Sequence, residues 1–420
     1  MMISGEAKRE ENMSTIEKLK SFLKSDQIEV RRKAVTTLGE IKSENGVKYL
    51  IEALHDPDAI VRSTAIFSLG EIASEEAVQP LLPFLQDPDA NSRSTAAVAL
   101  GKIGSICAED ALIRTLSDPD AHVRACVASA LAKIGSEKSE KLLVKILQTA
   151  HDPDARRKAI TALREVRTDR VRRAVLHALQ DDDESVRNCA AVAVGEMGIT
   201  EAETLLLRLL PQESPDTQIS ILFALGEIRS EAAVDQIIPF VRNAHFNLAQ
   251  QAVASLGKIR SDQAVQELIS LLETAPPKMT WHIVEALGES RHANALPPLI
   301  RLRTHPEVDI RWSVARGLGL RPSKQALDPL IAMLQDPDEH VRTIAATSLG
   351  NLGFPEAIEP LLTVLQQQQG KVIESAAAAI VKLGDQRTRS TLRQILPRLE
   401  PETAKTVQQA IEDMQTRKST

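Results

Sequence analysis

Residues 74–104 read SEEAVQPLLPFLQDPDANSRSTAAVALGKIG, and this stretch decides the fold because it contains two helices and the turn between them. Apolar residues recur at helical spacing from Ala77 to Leu85, which predicts a first amphipathic helix. The turn Asp87-Pro88-Asp89 ends this helix, because proline lacks an N–H and disfavours helix in the residue before it, while Asp89 can cap the next helix. The second helix places four apolar residues on its buried face: Ala96, Ala97, Leu100 and Ile103. The stretch is therefore one helix–turn–helix unit.

This unit repeats along the chain with a period of 31 residues and one step of 32. Its marker is a Leu-Gly or equivalent pair in each second helix, from Leu38-Gly39 to Ile411-Glu412. Thirteen units result, and we expect a polar extension at residues 1–13, one continuous array over 14–416 and a polar tail at 417–420. Nine of the thirteen pairs contain glycine, which costs about 1 kcal/mol against alanine within a helix, so we predict that another helix passes close to it.

Composition bounds the class of protein. Hydrophobic residues make up 43% of the 420 residues but aromatic residues only 2%, so the core must be aliphatic, which favours stacked helices over a β-sandwich or barrel. The net charge of −6 gives no global indication of nucleic-acid binding. No apolar run approaches the roughly 20 residues that span a bilayer, and the first residues lack the apolar stretch of a secretory signal. We therefore expect a cytoplasmic protein.

The repeated residues also carry a family pattern. Asp56-Pro57-Asp58 is followed by Val61-Arg62 and Leu69-Gly70, and the same order returns after Asp118 and Asp336. This pattern resembles the HEAT repeat, in the short variety found in bacterial proteins and in phycobilisome bilin lyase subunits. The resemblance implies an all-α, right-handed α-solenoid of about thirteen repeats whose second helices line the concave face. Stacking supports this architecture, because a single helix pair cannot bury both of its apolar faces.

Most of the second helices have an arginine near their start. It occupies one repeat position in eight units: Arg31, Arg62, Arg93, Arg124, Arg156, Arg187, Arg311 and Arg342. The resemblance implies that these arginines form a structural ladder between neighbouring units with turn aspartates. We expect the acceptors to be Asp58, Asp120 and Asp338 or their neighbours in the next repeat. Arginine suits such a role because its planar fork holds two acceptors at once.

Three successive units break this ladder and have Gln218, Ala249 and Thr280 in place of the arginine. The same units lose the Asp-Pro-Asp turn and read Ser-Pro-Asp, Asn-Ala-His and Ala-Pro-Pro. Two explanations are open. One is tolerated sequence drift, and the other is that these units were altered to form a binding surface or a change of curvature.

Both tryptophans, Trp281 and Trp312, lie one residue after the arginine position in adjacent units. That position is polar in most other units, so we expect it to point outward from the second helix into the concavity. Because tryptophan is enriched among the residues that dominate binding energy, the pair is a candidate recognition anchor, with structural filling as the alternative. Five further residues near these helical faces complete the candidate site: His282, Glu285, Arg316, Ile219 and Phe223.

No motif points to catalysis, a metal or a cofactor. The nine histidines are spread singly, and the paired His-Glu motifs of di-iron HEAT-repeat hydroxylases do not occur. Cys126 and Cys189 share a repeat position but lie two units apart, too far to share a metal, and we interpret them as buried, inert thiols. Phosphate-loop, dinucleotide and nucleophile-elbow patterns are also missing from the sequence. We therefore predict no catalytic residue, no metal and no cofactor.

Charged residues form two further features. A carboxylate row lies nine residues after the arginine position and is interrupted by three lysines: Glu40, Glu71, Glu165, Glu196, Glu227 and Glu289, with Lys102, Lys133 and Lys258. This row is either a solvated, mixed-charge surface or a guide for basic partners. The segment Arg156–Arg173 is basic and is a candidate for binding anions, but no aromatic residues interleave to stack nucleic-acid bases.

The leading functional hypothesis is a non-enzymatic scaffold that binds another protein on its concave face. The alternative is an accessory or lyase-like role in attaching or removing a bilin, and it comes only from the resemblance to bilin lyase subunits. In that role the groove would hold an open-chain bilin and present it to a cysteine of a phycobiliprotein. Those subunits are usually shorter and work as pairs, whereas this chain is long and continuous. The partner is thus expected to be a protein, and the sequence does not name it.

Overall fold

The computed structural model describes residues 15–242, 245–275, 277–367, 370–384 and 386–416. These residues form helices joined by short turns, and no strand occurs among them. The predicted all-α fold of stacked helix pairs is confirmed. The polar extension and the polar tail that the sequence predicts lie outside the described residues.

The chain forms two compact units, Met1–Ile199 and Thr200–Thr420. The helices of the first unit are α1 (residues 15–22), α2 (Ile28–Ile41), α3 (Glu44–Ala53), α4 (Ala59–Ile72), α5 (Val78–Leu81), α6 (Ala90–Ile103), α7 (Glu109–Thr115), α8 (Ala121–Ile134), α9 (Glu137–Thr149), α10 (Pro153–Leu163), α11 (Asp169–Ala178) and α12 (Glu184–Met197). Even-numbered helices are the second helices of the repeats. That the thirteen repeats form one continuous array stays a prediction.

The second unit continues the same alternation of first and second helices. Its helices are α13 (Glu203–Leu209), α14 (Pro215–Glu227), α15 (Val234–Val241), α16 (Phe246–Ile259), α17 (Asp262–Thr274), α18 (Pro277–Ser290), α19 (Leu296–Arg301), α20 (Val308–Gly319), α21 (Leu327–Met333), α22 (Glu339–Leu352), α23 (Ile358–Gln367), α24 (Lys371–Leu383), α25 (Gln386–Ile395) and α26 (Pro401–Thr416). Short 3₁₀ turns extend several first helices: Glu75–Ala77, Leu82–Gln86, Ile106–Ala108, Thr200–Ala202, Glu231–Ala233, Ala293–Ala295, Leu302–Thr304, Lys324–Ala326, Pro355–Ala357 and Leu396–Arg398.

The core of each unit is aliphatic, as the composition predicts. The leucine of the Leu-Gly pair is fully buried in both units, for example at Leu69 and Leu100 in the first and at Leu225 and Leu256 in the second. Fully burying one such side chain stabilises the fold by about 1.5–3 kcal/mol. The repeated leucine therefore anchors each of these second helices to the core.

The glycine of the Leu-Gly pair lies where second helices of neighbouring repeats approach closely. A Cβ atom added to Gly70 would lie 2.7 Å from the Cα of Ala99, and one added to Gly288 would lie 2.6 Å from the Cα of Gly317. A side chain at either glycine would push the two helices apart, because protein interiors are close-packed. The predicted close approach is confirmed, and the helix that approaches is the second helix of the next repeat.

The ladder arginines stabilise the turns by bonding their carbonyl groups. Arg62 donates from Nη1 to the carbonyl oxygens of Asp56 and Pro57 at 2.8 and 3.0 Å. The same contact with the turn before the helix recurs at three other predicted ladder residues: Arg124, Arg187 and Arg342.

Four ladder arginines also donate hydrogen bonds to a carboxylate of the next repeat, and Arg124 lies 3.9 Å from the carboxylate of Asp154 there. Arg311 donates from Nε and Nη2 to the carboxylate of Asp336 at 2.7 and 2.9 Å, and the Asp336 side chain is only 6% exposed. Equivalent pairs join Arg31 to Asp56, Arg93 to Asp118 and Arg156 to Asp181. In these pairs the acceptor is the first residue of the turn.

The last aspartate of the turn caps the second helix, as the sequence predicts for Asp89. Asp58, Asp120 and Asp338 each cap a second helix. Their carboxylates accept the backbone N–H of the third helical residue at 3.0 to 3.1 Å. These N–H groups have no partner inside the helix, which is why a side-chain acceptor there stabilises the helix start. Asp58 in addition accepts from Arg32, the residue after the ladder position.

Candidate functional site

The candidate site lies on the surface formed by α14, α16, α18 and α20 of the second unit, which we call the second-helix face. The first three of these helices belong to the repeats that lack the ladder arginine. Gln218 replaces one arginine and donates from Nε2 to the carbonyl oxygen of Leu210 at 3.1 Å, so one turn keeps part of the ladder contact. Of the altered turns, residues 243, 244 and 276 lie outside the described residues.

An aromatic cluster forms where α16 and α18 begin. The ring centroids of Trp281 and His282 lie 4.3 Å apart with an edge-on geometry, and those of His282 and Phe246 lie 5.6 Å apart. Burial lowers the pKa of His282, which favours its neutral form. Trp281 is half-buried and Phe246 is 44% exposed, so the cluster offers apolar ring surface to solvent.

Sequence reasoning missed Phe246. It is the first residue of α16, a position held by Ala59, Ala90 and Ala121 in repeats with the regular turn. Val308 stands at the same position in α20 and is also an exposed large apolar residue. The available signal was a bulky apolar side chain where regular repeats have alanine.

A charged cluster adjoins the second tryptophan. Arg316 donates to the carboxylates of Glu285 at 2.5 Å and Glu289 at 3.1 Å, and its guanidinium carbon lies 5.8 Å from the ring centroid of Trp312. Burial raises the pKa of Glu285, and the nearby carboxylate of Glu289 adds to the rise while Arg316 opposes it. The cluster joins α18 to α20, so residues predicted to lie near the two tryptophans do make contacts there.

Ile219 and Phe223, the two residues predicted upstream, are half-buried on α14. The ammonium group of Lys258 lies 5.0 Å from the Phe223 ring centroid and also bonds the carboxylate of Glu227. Among the described contacts, Phe223 thus pairs with α16 rather than with either tryptophan.

The carboxylate row is largely paired with basic groups. Glu71 accepts from both Lys42 and Lys102, and these hydrogen bonds lower its pKa to about 2. Glu196 accepts from Arg164, and Glu227 from Lys258. These pairs join neighbouring repeats, which favours the interpretation of a mixed-charge surface.

The basic segment Arg156–Arg173 is also tied to carboxylates. Arg157 and Lys158 bond Asp154, and Arg170 bonds Glu140. A groove of about 720 Å³ adjoins the segment and is lined by charges of both signs: Lys133, Arg164, Glu165, Arg167 and Glu196. Anion binding at this segment stays a prediction.

The cysteines differ from the expectation of buried thiols. Cys126 and Cys189 are only partly buried, and Cys107 is exposed. Burial still raises the pKa of Cys126 and of Cys189, so their thiols remain protonated at neutral pH. They sit on the partly open sides of α8 and α12, which is why packing leaves them half-covered.

Within the part of the chain that the structure describes, no three His, Cys, Asp or Glu side chains are grouped so as to hold a metal ion. None of the described helices has the length and apolarity needed to cross a membrane.

Comparison with protein families finds one repeated match. The model for HEAT repeats matches the chain in eight overlapping segments: residues 16–90, 47–110, 78–164, 140–212, 202–288, 266–343, 296–382 and 327–413. No curated protein sequence matches the chain.

Solved structures of importin-β type have a similar fold. Yeast importin-beta (Kap95p) is 14% identical with a TM-score of 0.56, covering 96% of this chain and 72% of that chain. A chain from a structure of Kap95p with RanGDP is 14% identical with a TM-score of 0.54, covering 96% of this chain and 66% of that one. A chain from a Kap95:Nup1 complex is 14% identical with a TM-score of 0.53, covering 96% and 67%. This chain therefore spans about two thirds of the length of the chains it matches, and the likeness concerns the fold alone.

Proposed function

This chain belongs to the HEAT-repeat family, and we propose that it is a non-enzymatic scaffold whose second-helix face binds a protein partner around Trp281 and Trp312. The observation that carries the proposal is the pair of half-buried tryptophans, flanked by the exposed ring of Phe246 and by the Arg316 cluster. Protein-binding sites concentrate their energy in such aromatic and arginine residues, surrounded by polar contacts.

The repeats that carry these residues support the same assignment. The repeats of Phe246 and Trp281 lack the ladder arginine that bonds turns elsewhere, so their surface is free to serve contacts other than those between repeats. Trp312 lies in the next repeat, which keeps Arg311. The neighbours of similar fold are described as binding RanGDP and Nup1, and a partner that is a protein is consistent with that use of the fold. We expect the bound surface to be the concave side of the repeats.

Replacing Trp281 with alanine tests the proposal. Truncating a central anchor of this kind typically costs at least 2 kcal/mol of binding free energy, about thirtyfold in affinity. The Trp281→Ala variant should therefore bind its partner about thirtyfold more weakly. The measurement is capture from native lysate followed by titration of the purified partner, alongside the melting temperature of each variant.

Phe67→Ala is the matched control, because Phe67 is an exposed aromatic residue on a second helix of the first unit. This variant should bind as the unmodified chain does. If Trp281→Ala melts early and binding falls only in proportion to unfolding, the tryptophan is a packing residue. If Phe67→Ala loses as much affinity as Trp281→Ala, the surface is not confined to the second unit.

The bilin role stays a prediction that rests on the family resemblance alone. The chain's own contacts supply no observation that favours it over the scaffold. Visible absorbance of the chain after co-expression with a bilin would support that role, and a colourless protein would remove it.

A further inference from the structure

Three consecutive second helices of the second unit are followed by an arginine in an unusual backbone conformation. Arg229, Arg260 and Arg291 follow α14, α16 and α18 with φ angles of 56°, 63° and 52°. We call these three residues the arginine column. Positive φ is the left-handed region, which glycine adopts without steric cost and other residues adopt at a cost. Four other repeats have glycine at this position: Gly104, Gly135, Gly198 and Gly353.

The arginine column lines one groove of about 270 Å³. The groove contains two further cations, Lys258 and Arg316, and two carboxylates, Glu227 and Glu289. Lys258 already bonds Glu227, and Arg316 already bonds Glu289. Both carboxylates thus have partners, and the column contributes three further positive charges to the groove.

Arg260 is the middle residue of the column, and its charge is repelled by both of its neighbours. Its Nε is buried and finds no hydrogen-bond partner among the described residues. Burial lowers the pKa of Arg260, and repulsion from Arg229 and Arg291 lowers it further, while Glu289 opposes the shift. A buried N–H without an acceptor and a row of like charges are both unfavourable, and a bound oxyanion would relieve both.

Neither Arg229 nor Arg291 forms an ion pair with a described carboxylate, and both side chains are exposed. Arginine presents a planar fork that matches the two oxygens of a carboxylate. The column therefore presents two exposed guanidinium groups that form no ion pair with the protein's own described acidic residues.

Spacing indicates the shape of that ligand. Packed helices lie about 8–10 Å apart, so successive arginines of the column are separated by roughly that distance. A polyproline II segment has three residues per turn and rises about 3.1 Å per residue, so every third side chain lies on one face at a spacing of about 9 Å. A β-strand would place residues three apart on opposite faces.

We propose that the arginine column binds an acidic peptide segment in polyproline II conformation, with a carboxylate side chain at every third residue. This inference rests on the proposed function, because it names the chemistry of the protein partner. The carboxylates pair with Arg229, Arg260 and Arg291 in turn, and the apolar residues between them face solvent.

A fluorescein-labelled peptide of three Glu-Pro-Pro repeats tests the proposal by fluorescence anisotropy with the purified full chain. We expect binding that weakens as salt is raised, since charged contacts are screened. The Arg260→Gly variant should bind at least tenfold more weakly. It installs the residue found at this position in four other repeats, so the backbone conformation is retained.

Matched controls separate recognition from general charge. Arg301→Gln removes one positive charge from the exposed end of α19, outside the groove, and should bind the peptide as the unmodified chain does. A peptide with the same composition but three adjacent glutamates should bind several-fold more weakly. A Lys-Pro-Pro peptide should not bind.

Three results would overturn the inference: equal binding by Arg260→Gly, equal loss in Arg301→Gln, or tighter binding of a single-stranded DNA oligonucleotide of the same net charge. The assay uses purified components, so a failed capture experiment at Trp281 would leave a positive peptide result standing. Peptide that fails to bind while Trp281→Ala still abolishes partner capture would overturn the arginine column alone.

Discussion

At the scale of single residues, the position in the repeat determines the backbone conformation in most repeats but not the role of the side chain. In nine repeats a residue just after the second helix has positive φ: it is glycine in four of them, alanine or lysine at Ala73 and Lys42, and arginine in the column. After α10, α20 and α24 the residue that follows the helix has negative φ. In the nine repeats the backbone conformation is thus the same whatever the side chain. An arginine at that position is therefore not required by the fold.

The energetic consequence can be measured at Arg260. Replacing it with glycine removes the steric cost of positive φ and the repulsion from Arg229 and Arg291, so we expect stability to rise by on the order of 1 kcal/mol. Ala73→Gly is the control for backbone conformation alone and should gain about 0.5–1 kcal/mol. The measurement is urea denaturation of both variants at low and high salt.

The gain at Arg260 should shrink in high salt, because repulsion between charges is screened, whereas the gain at Ala73 should not change. A loss of stability in Arg260→Gly would mean that the arginine is a structural residue, and it would leave no reason to assign it to a ligand.

At the scale of elements, periodicity made the helix pairs predictable and left the contacts between them undecided. The 31-residue period, the Asp-Pro-Asp turn and the Leu-Gly pair placed both helices of each regular repeat, because apolar spacing and capping are local properties. The close approach at each glycine followed from the cost of glycine in a helix. The partner of each turn aspartate was not predictable from the sequence. Asp56 and Asp58 are two residues apart, and only the three-dimensional geometry decides which of them bonds an arginine.

The candidate site was predictable to the same extent. Trp281 and Trp312 were found because their residue type breaks a repeat pattern, and Glu285 and Arg316 because they lie near the tryptophans on the helical faces. The contacts of Arg316 join it to Trp312 and Glu285. Phe246 was missed because its significance depends on a neighbouring ring from another repeat. The arginine column recurs in the sequence at the repeat period, but its residues read as ordinary polar turn residues until their conformation is known.

The two kinds of ladder contact should differ in strength. Arg311→Ala removes the bidentate hydrogen bond to the buried carboxylate of Asp336. We therefore expect the free energy of unfolding to fall by about 2–3 kcal/mol. Arg124→Ala removes bonds to carbonyl oxygens at the turn before its helix and a long, partly exposed ion pair with Asp154 at 3.9 Å, and should cost about 1 kcal/mol. Urea denaturation at pH 7 measures both values.

The Arg311 contribution should also depend on pH. Burial raises the pKa of Asp336, but the hydrogen bonds from Arg311 and from the Asp338 N–H outweigh it and hold the pKa below its ordinary value of 3.8. The bond therefore stabilises the fold fully above pH 3.8, and its contribution is lost as the pH falls through the lowered pKa. Equal losses for the two variants at pH 7, or an Arg311 effect unchanged in acid, would contradict the assignment.

At the scale of the whole molecule, the two units differ in how they use their second helices. The first unit has the ladder arginine in every repeat from Arg31 to Arg187, and its charged row is joined across repeats. The second unit loses the ladder in three repeats and has there the arginine column, Phe246 and Trp281, with Trp312 in the repeat that follows. HEAT repeats serve many functions with one architecture, so this change of surface chemistry is what supports our proposal that the second unit binds the partner.

Hydrogen exchange of the full chain, free and in complex with its captured partner, tests this assignment most directly. Backbone amides report local opening, and a partner that covers helices slows their exchange. We predict slower exchange confined to α14, α16, α18 and α20 and the turns at their ends, with α4, α6 and α8 of the first unit unchanged. Slower exchange confined to the first unit, or spread evenly over both units, would contradict the assignment of partner binding to the second-helix face.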